Sequence, residues 1–207
     1  DPQRFAELTR AKLERFFQVD SGIRAAAEQF HTVKLNAVIL KEHNEDQLFP
    51  LIEYAAQLNR EHGAQIQLRF IEYMPFQQRW YHSVPSAQLI RRIKKAMALN
   101  PLVRDKDGGP AEMYNLPSKG IDVGFITPLS ERFCVSCNRL RLTADGELRT
   151  CLAHQPNAPL RALIRGQHSN QQLHQRIQEI TRQKQLQHNC ETDGGTLFDG
   201  VMTAIGG

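Results

Sequence analysis

The sequence predicts an α/β fold, because segments with the period of a strand alternate with amphipathic helical segments in the first hundred residues. Residues 33–40 and 66–73 are the two clearest strands, and a helical segment lies between them. A second observation is a change in amino-acid composition near residue 101, where Gly, Pro and Asp become frequent. We therefore divide the chain into residues 1–100, built from βα units of a parallel sheet, and residues 101–207, a second part with a hairpin and helices.

Two helices are predicted before the first strand. One begins at Asp1-Pro2 and the next at Ser21. Their apolar residues are expected on one buried face: Phe5, Leu8, Phe16 and Phe17. The strand at residues 33–40 is then predicted to be mostly buried. Its alternation places Val33, Leu35, Ala37 and Ile39 on one face, and Lys34 and Asn36 on the other.

The next helix has Asn44 among its capping residues and ends at Gly63. Residues 66–73 form the second strand, and Ser86 caps a further helix. Only about two βα units are therefore present, too few to close a barrel alone.

The second part contains a predicted hairpin. A short strand is expected around Met113, and a strand at residues 121–127 leads to Cys134. Residues 139–143 and 147–150 flank Asp145-Gly146, a dipeptide typical of hairpin turns. Helices are predicted at residues 160–165 and 170–184, followed by a Gly-rich tail at residues 192–207.

Composition excludes several classes of protein. The 207 residues are 41% hydrophobic and 23% charged, as in globular proteins, and no apolar run approaches the roughly 20 residues of a membrane-spanning helix. The net charge of +4 is too mild to indicate nucleic-acid binding. We therefore expect neither a membrane nor a nucleic-acid partner. The chain begins with Asp1 rather than Met, so we expect residues upstream of it.

Three of the four cysteines lie within eighteen residues, a spacing that indicates metal ligands in a reducing, cytoplasmic setting. Cys134 and Cys137 share a Cys-x-x-Cys turn, and the hairpin is expected to return Cys151 to them. Thiolates suit zinc and iron–sulfur clusters alike, and the spacing alone leaves the two even. Structural zinc would need a fourth ligand, either the distant Cys190 or His154. The zinc interpretation makes the chain a zinc-binding interaction module.

Two arginines follow the cysteine pair. Because strand residues two apart share a face, Cys137, Arg139 and Arg141 are expected to point the same way, with Leu140 and Leu142 on the opposite, buried face. The guanidinium groups either neutralise a thiolate cluster or bind phosphates bidentately. The second interpretation predicts an anionic substrate beside a metal cluster.

Residues 133–152 closely resemble the C-terminal cluster segment of the GTP 3′,8-cyclases: Phe-Cys-Val-Ser-Cys-Asn-Arg-Leu-Arg-Leu-Thr-Ala-Asp-Gly-Glu-Leu-Arg-Thr-Cys-Leu. Residues 33–36, residues 68–75 and the closing Ile-Gly-Gly at 205–207 match the same family in the same order. These enzymes are radical S-adenosylmethionine lyases that catalyse the first step of molybdenum-cofactor biosynthesis. The resemblance covers essentially the whole chain.

The resemblance implies a role for each matching residue. Cys134, Cys137 and Cys151 would ligate a [4Fe–4S] cluster whose open iron meets the guanine of GTP. Four residues would bind GTP: Lys34, Arg139, Leu140 and Arg141. Met74 and Arg69 would lie at the S-adenosylmethionine site, and the Gly206-Gly207 tail would enter the active site. Cys190 is not part of the family pattern, and we expect it to be a free thiol.

The resemblance also defines what this chain lacks. The family generates its radical at a second cluster, held by a Cys-x-x-x-Cys-x-x-Cys motif that does not occur in the 207 residues. The expected fold is the C-terminal part of an incomplete (β/α) TIM-like barrel, with a cluster-binding hairpin and helices appended. The family implies a downstream partner, cyclic pyranopterin monophosphate synthase, and a homodimer. The chain alone is expected to be unable to start radical chemistry.

Overall fold

The fold is seen in a computed structural model that describes residues 1–74, 84–103, 109–131, 133–152, 158–166 and 168–184. Contacts divide the chain into two compact units, the first comprising Asp1–Tyr73 and Tyr81–Pro128, and the second Met74–Trp80 and Leu129–Gly207. The division falls after Pro128 rather than after residue 100, because the strands between these positions belong to the first sheet.

The first unit contains a five-stranded mixed sheet. Its helices are α1 (Pro2–Thr9), α2 (Leu13–Gln29), α3 (Leu48–His62) and α4 (Ser86–Ala96). Its strands are β1 (Thr32–Ala37), β2 (Gln65–Ile71), β3 (Asn100–Pro101), β4 (Glu112–Leu116) and β5 (Ile121–Ile126). The strand order is β1-β2-β5-β4-β3, with parallel pairing from β1 to β5 and antiparallel pairing from β5 to β3. The chain therefore has the predicted α/β fold.

The core lies on one face of this sheet. Phe70 and Phe125 stack at 5.8 Å on adjacent strands, and the apolar side of α3 packs against the same cluster, with Leu48, Ile52 and Leu58 fully enclosed. Burial of these side chains supplies the main stabilisation of the unit. The predicted end of α3 is confirmed, because Gly63 has the left-handed conformation (φ 67°) that closes the helix.

Several local predictions are wrong in detail. No residue of α1 is buried, and Phe17 is 57% exposed. Two helices precede β1, as predicted, and the first begins at Asp1-Pro2. The break between them lies at residues 10–12 rather than at Ser21, because α2 runs through that position. Ser86 is the first residue of α4 rather than its cap, which is Pro85, and the Ser86 amide donates to Glu72 Oε1 at 3.2 Å. None of the helices described is long and apolar enough to span a bilayer.

The second unit combines a three-stranded sheet with two helices. The sheet is antiparallel in the order β6 (Arg141–Leu142), β7 (Glu147–Arg149), β8 (Ala158–Pro159), and it is followed by α5 (Arg161–Arg165) and α6 (Asn170–Arg182). A capping box at Ser169 and Gln172 starts α6. Leu148, Leu160 and Ile180 form a small core that joins strand and helices. The hairpin and both helices are as predicted.

Candidate functional site

The cysteine turn, residues 134–137, opens the candidate site. Cys134–Ser136 form one turn of 3-10 helix, closed by a hydrogen bond from the Cys137 amide to the Cys134 carbonyl at 3.1 Å. Both cysteines are half-buried, and neither is in a disulfide. The turn presents its first two thiols on one short loop, as the Cys-x-x-Cys spacing predicts.

The Cys137 thiol lies in a positively charged environment. Burial raises its pKa, but hydrogen bonds from the backbone and side chain of Arg139 and the charge of Lys184 outweigh that effect, so the pKa is lowered overall. The Lys184 ammonium is 3.4 Å from the Cys137 sulfur. A thiolate is the form that binds metals, and this environment favours it.

Arg139 and Arg141 concentrate positive charge beside this thiol. The Arg139 guanidinium lies over the Phe133 ring, 4.9 Å from its centroid, which limits the directions it can take. The pKa of Arg141 is lowered by burial and by the positive charge of Arg139, while Cys137 acts in the opposite direction. Two guanidinium groups that repel each other in this way favour an anionic ligand.

The predicted alternation along this segment is present, but its burial is reversed. Leu140 and Leu142 were expected to be buried and are 41% and 55% exposed, whereas Thr143 is buried. Leu142 pairs with Leu148, so both lie on one face, but Leu148 of the middle strand belongs to the small core with the helices and Leu142 of the edge strand β6 does not. The prediction that Leu140 and Leu142 are buried is wrong.

Cys151 follows the hairpin closely. Arg141 pairs with Arg149 at the end of the β6–β7 ladder, and Cys151 lies two residues beyond that pair. Cys151 is half-buried and free of disulfides. The hairpin therefore returns the third cysteine towards the arginine that follows the first two.

The three thiols are candidate ligands for a metal centre. Within the described ranges, which include all three cysteines, no group of three His, Cys, Asp or Glu side chains is arranged to hold a metal ion. The donor set, three cysteines outside disulfides beside cationic side chains, fits the chemistry of zinc and of an iron–sulfur cluster alike.

In the first unit, Lys34, Asn36 and Arg69 lie on the sheet face opposite the core. Lys34 and Asn36 are exposed, whereas the alternating residues of β1 are half-buried. Arg69 is opposite Asn36 in the parallel register, and its Nε donates to Asn36 Oδ1 at 2.9 Å. Burial lowers the pKa of Arg69. This polar face holds its side chains by hydrogen bonds that run across the strands.

Gly124 makes room for Arg69 on this face. It is opposite Arg69 on one side and Met113 on the other. A Cβ at this position would lie 3.1 Å from Arg69 Cγ and 2.7 Å from Met113 Sδ. Only glycine leaves space for both side chains without rearrangement.

For the other predicted site residues, the structure gives burial alone or no description. Met74 is half-buried, three residues after β2 ends. Gly206, Gly207, Cys190 and His154 lie outside the described residues.

Two basic residues of the candidate site were not predicted from the sequence. Arg149 is 8% exposed and pairs with Arg141 across the hairpin. This pairing could have been predicted, because the two arginines lie at equal distances in sequence from Asp145 in the turn. Lys184 contacts the cysteine turn from 47 residues away, and no local pattern signals such a contact.

Comparison with known proteins identifies the family. The family model Molybdenum Cofactor Synthesis C matches residues 66–190. A GTP 3′,8-cyclase of Paracoccus denitrificans is 37% identical over 92% of this chain and 54% of its own length. Similar proteins of the same name from Corynebacterium glutamicum strain R and Marinobacter nauticus are 34% and 32% identical over the whole chain, which covers 55% and 62% of them. The chain thus spans little more than half the length of these relatives. Because the family model covers more than half of its residues, the chain belongs to the Molybdenum Cofactor Synthesis C family.

Proposed function

We propose that the chain is the C-terminal part of a GTP 3′,8-cyclase, a radical S-adenosylmethionine lyase that converts GTP to (8S)-3′,8-cyclo-7,8-dihydroguanosine 5′-triphosphate. The relatives that match 92–100% of its length carry this name. The observation that carries the proposal is the pair Arg139 and Arg141 beside the Cys137 thiol, with the Arg139 guanidinium lying over the Phe133 ring. This is a place for an anion next to a metal centre.

In the second unit, Cys134, Cys137 and Cys151 would hold a [4Fe–4S] cluster. Such a cluster, when bound, supplies an open iron that orients guanine. Arg139 and Arg141 bind phosphate oxygens through paired N–H donors, and Leu140 lies between them in the nucleotide-binding segment that the family resemblance implies. Arg139 enters this role already oriented by Phe133.

In the first unit, Lys34 would contribute an ammonium for GTP and Arg69 would contact S-adenosylmethionine. Met74, which belongs to the second unit, is also proposed to contact S-adenosylmethionine. The exposure of Lys34 and the Asn36–Arg69 hydrogen bond support these roles. The parallel strands β1, β2 and β5 would be the last part of an incomplete (β/α) barrel, with the polar face of Lys34 and Arg69 as its interior.

The complete protein would act in the cytoplasm, as a homodimer, and pass its product to cyclic pyranopterin monophosphate synthase. The Gly206-Gly207 tail would enter the active site, because residues without side chains fit a narrow passage.

The metal test is anaerobic reconstitution of the chain with iron and sulfide, followed by iron, sulfide and zinc analysis and a visible absorption spectrum. We expect about four irons per chain, as a [4Fe–4S] cluster requires. One tightly held zinc and no iron would instead indicate a zinc-binding interaction module.

The substrate test is GTP binding measured by calorimetry on the reconstituted chain. The double variant Arg139→Gln/Arg141→Gln removes two charge-assisted contacts and is expected to weaken binding by about 3 kcal/mol or more. The matched control, Arg161→Gln/Arg165→Gln, removes the same charge from exposed positions of α5 and should leave the affinity nearly unchanged. Equal affinity of the two double variants would contradict the proposed site.

A further inference from the structure

The Lys184 ammonium makes three hydrogen bonds, all to the segment that carries the cysteine and the arginines. It donates to the Cys137 carbonyl at 2.7 Å, to the Arg139 carbonyl at 3.1 Å and to the Cys137 sulfur at 3.4 Å. An ammonium has three N–H donors, so these three acceptors use its full capacity. All three N–H donors of Lys184 are therefore bonded to one short segment, which is more than a chance surface contact provides.

The backbone carbonyls that accept from Lys184 lie outside the strand ladder. Pairing of β6 with β7 begins at Arg141, so the carbonyls of Cys137 and Arg139 precede the first cross-strand pair. In extended chain, carbonyls two residues apart point the same way, which allows one ammonium to bind both. Lys184 thus supplies the hydrogen bonds that a neighbouring strand supplies elsewhere.

Lys184 reaches this segment from a firmly anchored helix. Ile180 of α6 is 1% exposed and packs with Leu148 of β7. The amide of Lys184 donates to the Thr181 carbonyl at 3.1 Å, which keeps the residue close to the last turn of α6. Its side chain is half-buried. The position of the ammonium is therefore set by the same core that fixes the hairpin.

We propose that Lys184 is a positioning residue that holds residues 137–139 in one conformation and thereby directs the Cys137 sulfur towards the cluster and the Arg139 and Arg141 side chains towards the nucleotide phosphates. The first half of this inference, that Lys184 fixes the turn, stands on the contacts alone. The second half rests on the proposed function.

The inference can be tested without metal by hydrogen exchange with mass spectrometry on the purified chain. In Lys184→Met, which keeps the length of the side chain and removes its donors, amides of residues 137–141 should exchange at least about tenfold faster, because all three hydrogen bonds of the ammonium are lost. Residues 170–180 of α6 should be unchanged. Arg182→Met removes a nearby exposed charge and should behave as wild type.

The outcomes separate a positioning role from a merely structural one. Equal exchange of residues 137–141 in Lys184→Met and wild type would overturn the inference. If amides throughout α6 also exchange faster in Lys184→Met, the variant has disturbed the helix, and Lys184→Arg is then the variant that tests the inference. This variant keeps a charged donor, so exchange at residues 137–141 should stay within about threefold of wild type, and exchange as fast as in Lys184→Met with α6 intact would overturn the inference.

The reconstituted chain tests the second half. Removing a cationic donor from a cluster sulfur makes the reduction potential more negative, so Lys184→Met should show that shift and Arg182→Met should not. GTP affinity should fall in parallel. An unchanged potential and affinity in Lys184→Met would overturn this half, whereas a wild-type chain that binds zinc alone would refute the proposed function and leave the exchange result standing.

Discussion

At the scale of single residues, the position of Arg139 depends on Phe133. The ring lies beneath the guanidinium at 4.9 Å, an interaction of about 0.5–1 kcal/mol at a partly exposed site. Phe133→Leu removes it and keeps an apolar side chain. We expect GTP binding, measured by calorimetry on the reconstituted chain, to weaken about two- to fivefold.

Val135 provides the control for this variant, since it belongs to the same turn and is 87% exposed. Val135→Ala should leave GTP affinity unchanged. A similar loss in both variants would mean that the turn as a whole, rather than the ring beneath Arg139, responds to substitution.

Gly124 is a second residue whose surroundings predict a definite effect. A methyl group there would press on Met113 Sδ and Arg69 Cγ. Gly124→Ala should therefore lower the free energy of unfolding by about 1–3 kcal/mol, the usual cost of overpacking. Urea denaturation measures the change.

Gly22 is the matched control for Gly124. It lies within α2, and a Cβ at this position would meet nothing within 4 Å. Gly22→Ala should raise the free energy of unfolding by about 0.5–1 kcal/mol, because alanine loses less freedom in a helix. Destabilisation by both substitutions would show that contact with Arg69 and Met113 is not the cause.

At the scale of elements, the hairpin depends on Gly146. Its φ of 81° is left-handed, and a Cβ would lie 2.8 Å from Arg161 Cβ. Gly146→Ala should destabilise the hairpin by more than 1 kcal/mol and lower the iron bound on reconstitution, since Cys151 follows β7. Asp145→Ala, an exposed neighbour in the same turn, should retain wild-type iron content. Full iron content in Gly146→Ala would contradict the role of the hairpin.

Helices α2 and α3 are joined by a hydrogen bond from the Tyr54 hydroxyl to Asp20 Oδ1 at 2.6 Å. Burial raises the pKa of Asp20, but the hydrogen bonds from Tyr54 and Arg24 lower it further, so the net shift is downward. A lowered pKa in the folded state stabilises the protein above about pH 4, and this stabilisation is lost as the pH falls through the folded value.

Tyr54→Phe should therefore cost about 1 kcal/mol of unfolding free energy at pH 7 and less at pH 3. Urea denaturation at the two pH values gives the comparison. An equal difference between variant and wild type at both values would show that the carboxylate does not contribute.

The sequence predicts those helices, strands and turns that depend on residues close together in the chain. Strand β2, helix α3 with its end at Gly63 and the Asp145-Gly146 hairpin follow from periodicity and turn residues. The exposure of Leu140 could not be predicted, because it depends on which strand the helices cover. Lys184 could not be found either, because its partners are distant in sequence. The cysteines and arginines could be proposed as a site from sequence because they lie close together along the chain.

At the scale of the whole molecule, the proposed function gives this chain GTP binding without the motif with which the family generates its radical. The sequence has no Cys-x-x-x-Cys-x-x-Cys. Incubating the reconstituted chain with GTP, S-adenosylmethionine and a reductant should yield no deoxyadenosine by chromatography. A longer form that includes this motif is the positive control. Deoxyadenosine formed by the 207-residue chain would contradict the proposed division of labour.

The core of the second unit determines when during synthesis this unit can fold. Leu148 of the hairpin is buried against Leu160 and against Ile180, which a ribosome adds more than thirty residues later. Until α6 has left the exit tunnel, the hairpin has no helix to cover it and Cys151 has no fixed place. On the proposed function, metal loading of this unit would therefore follow the synthesis of α6.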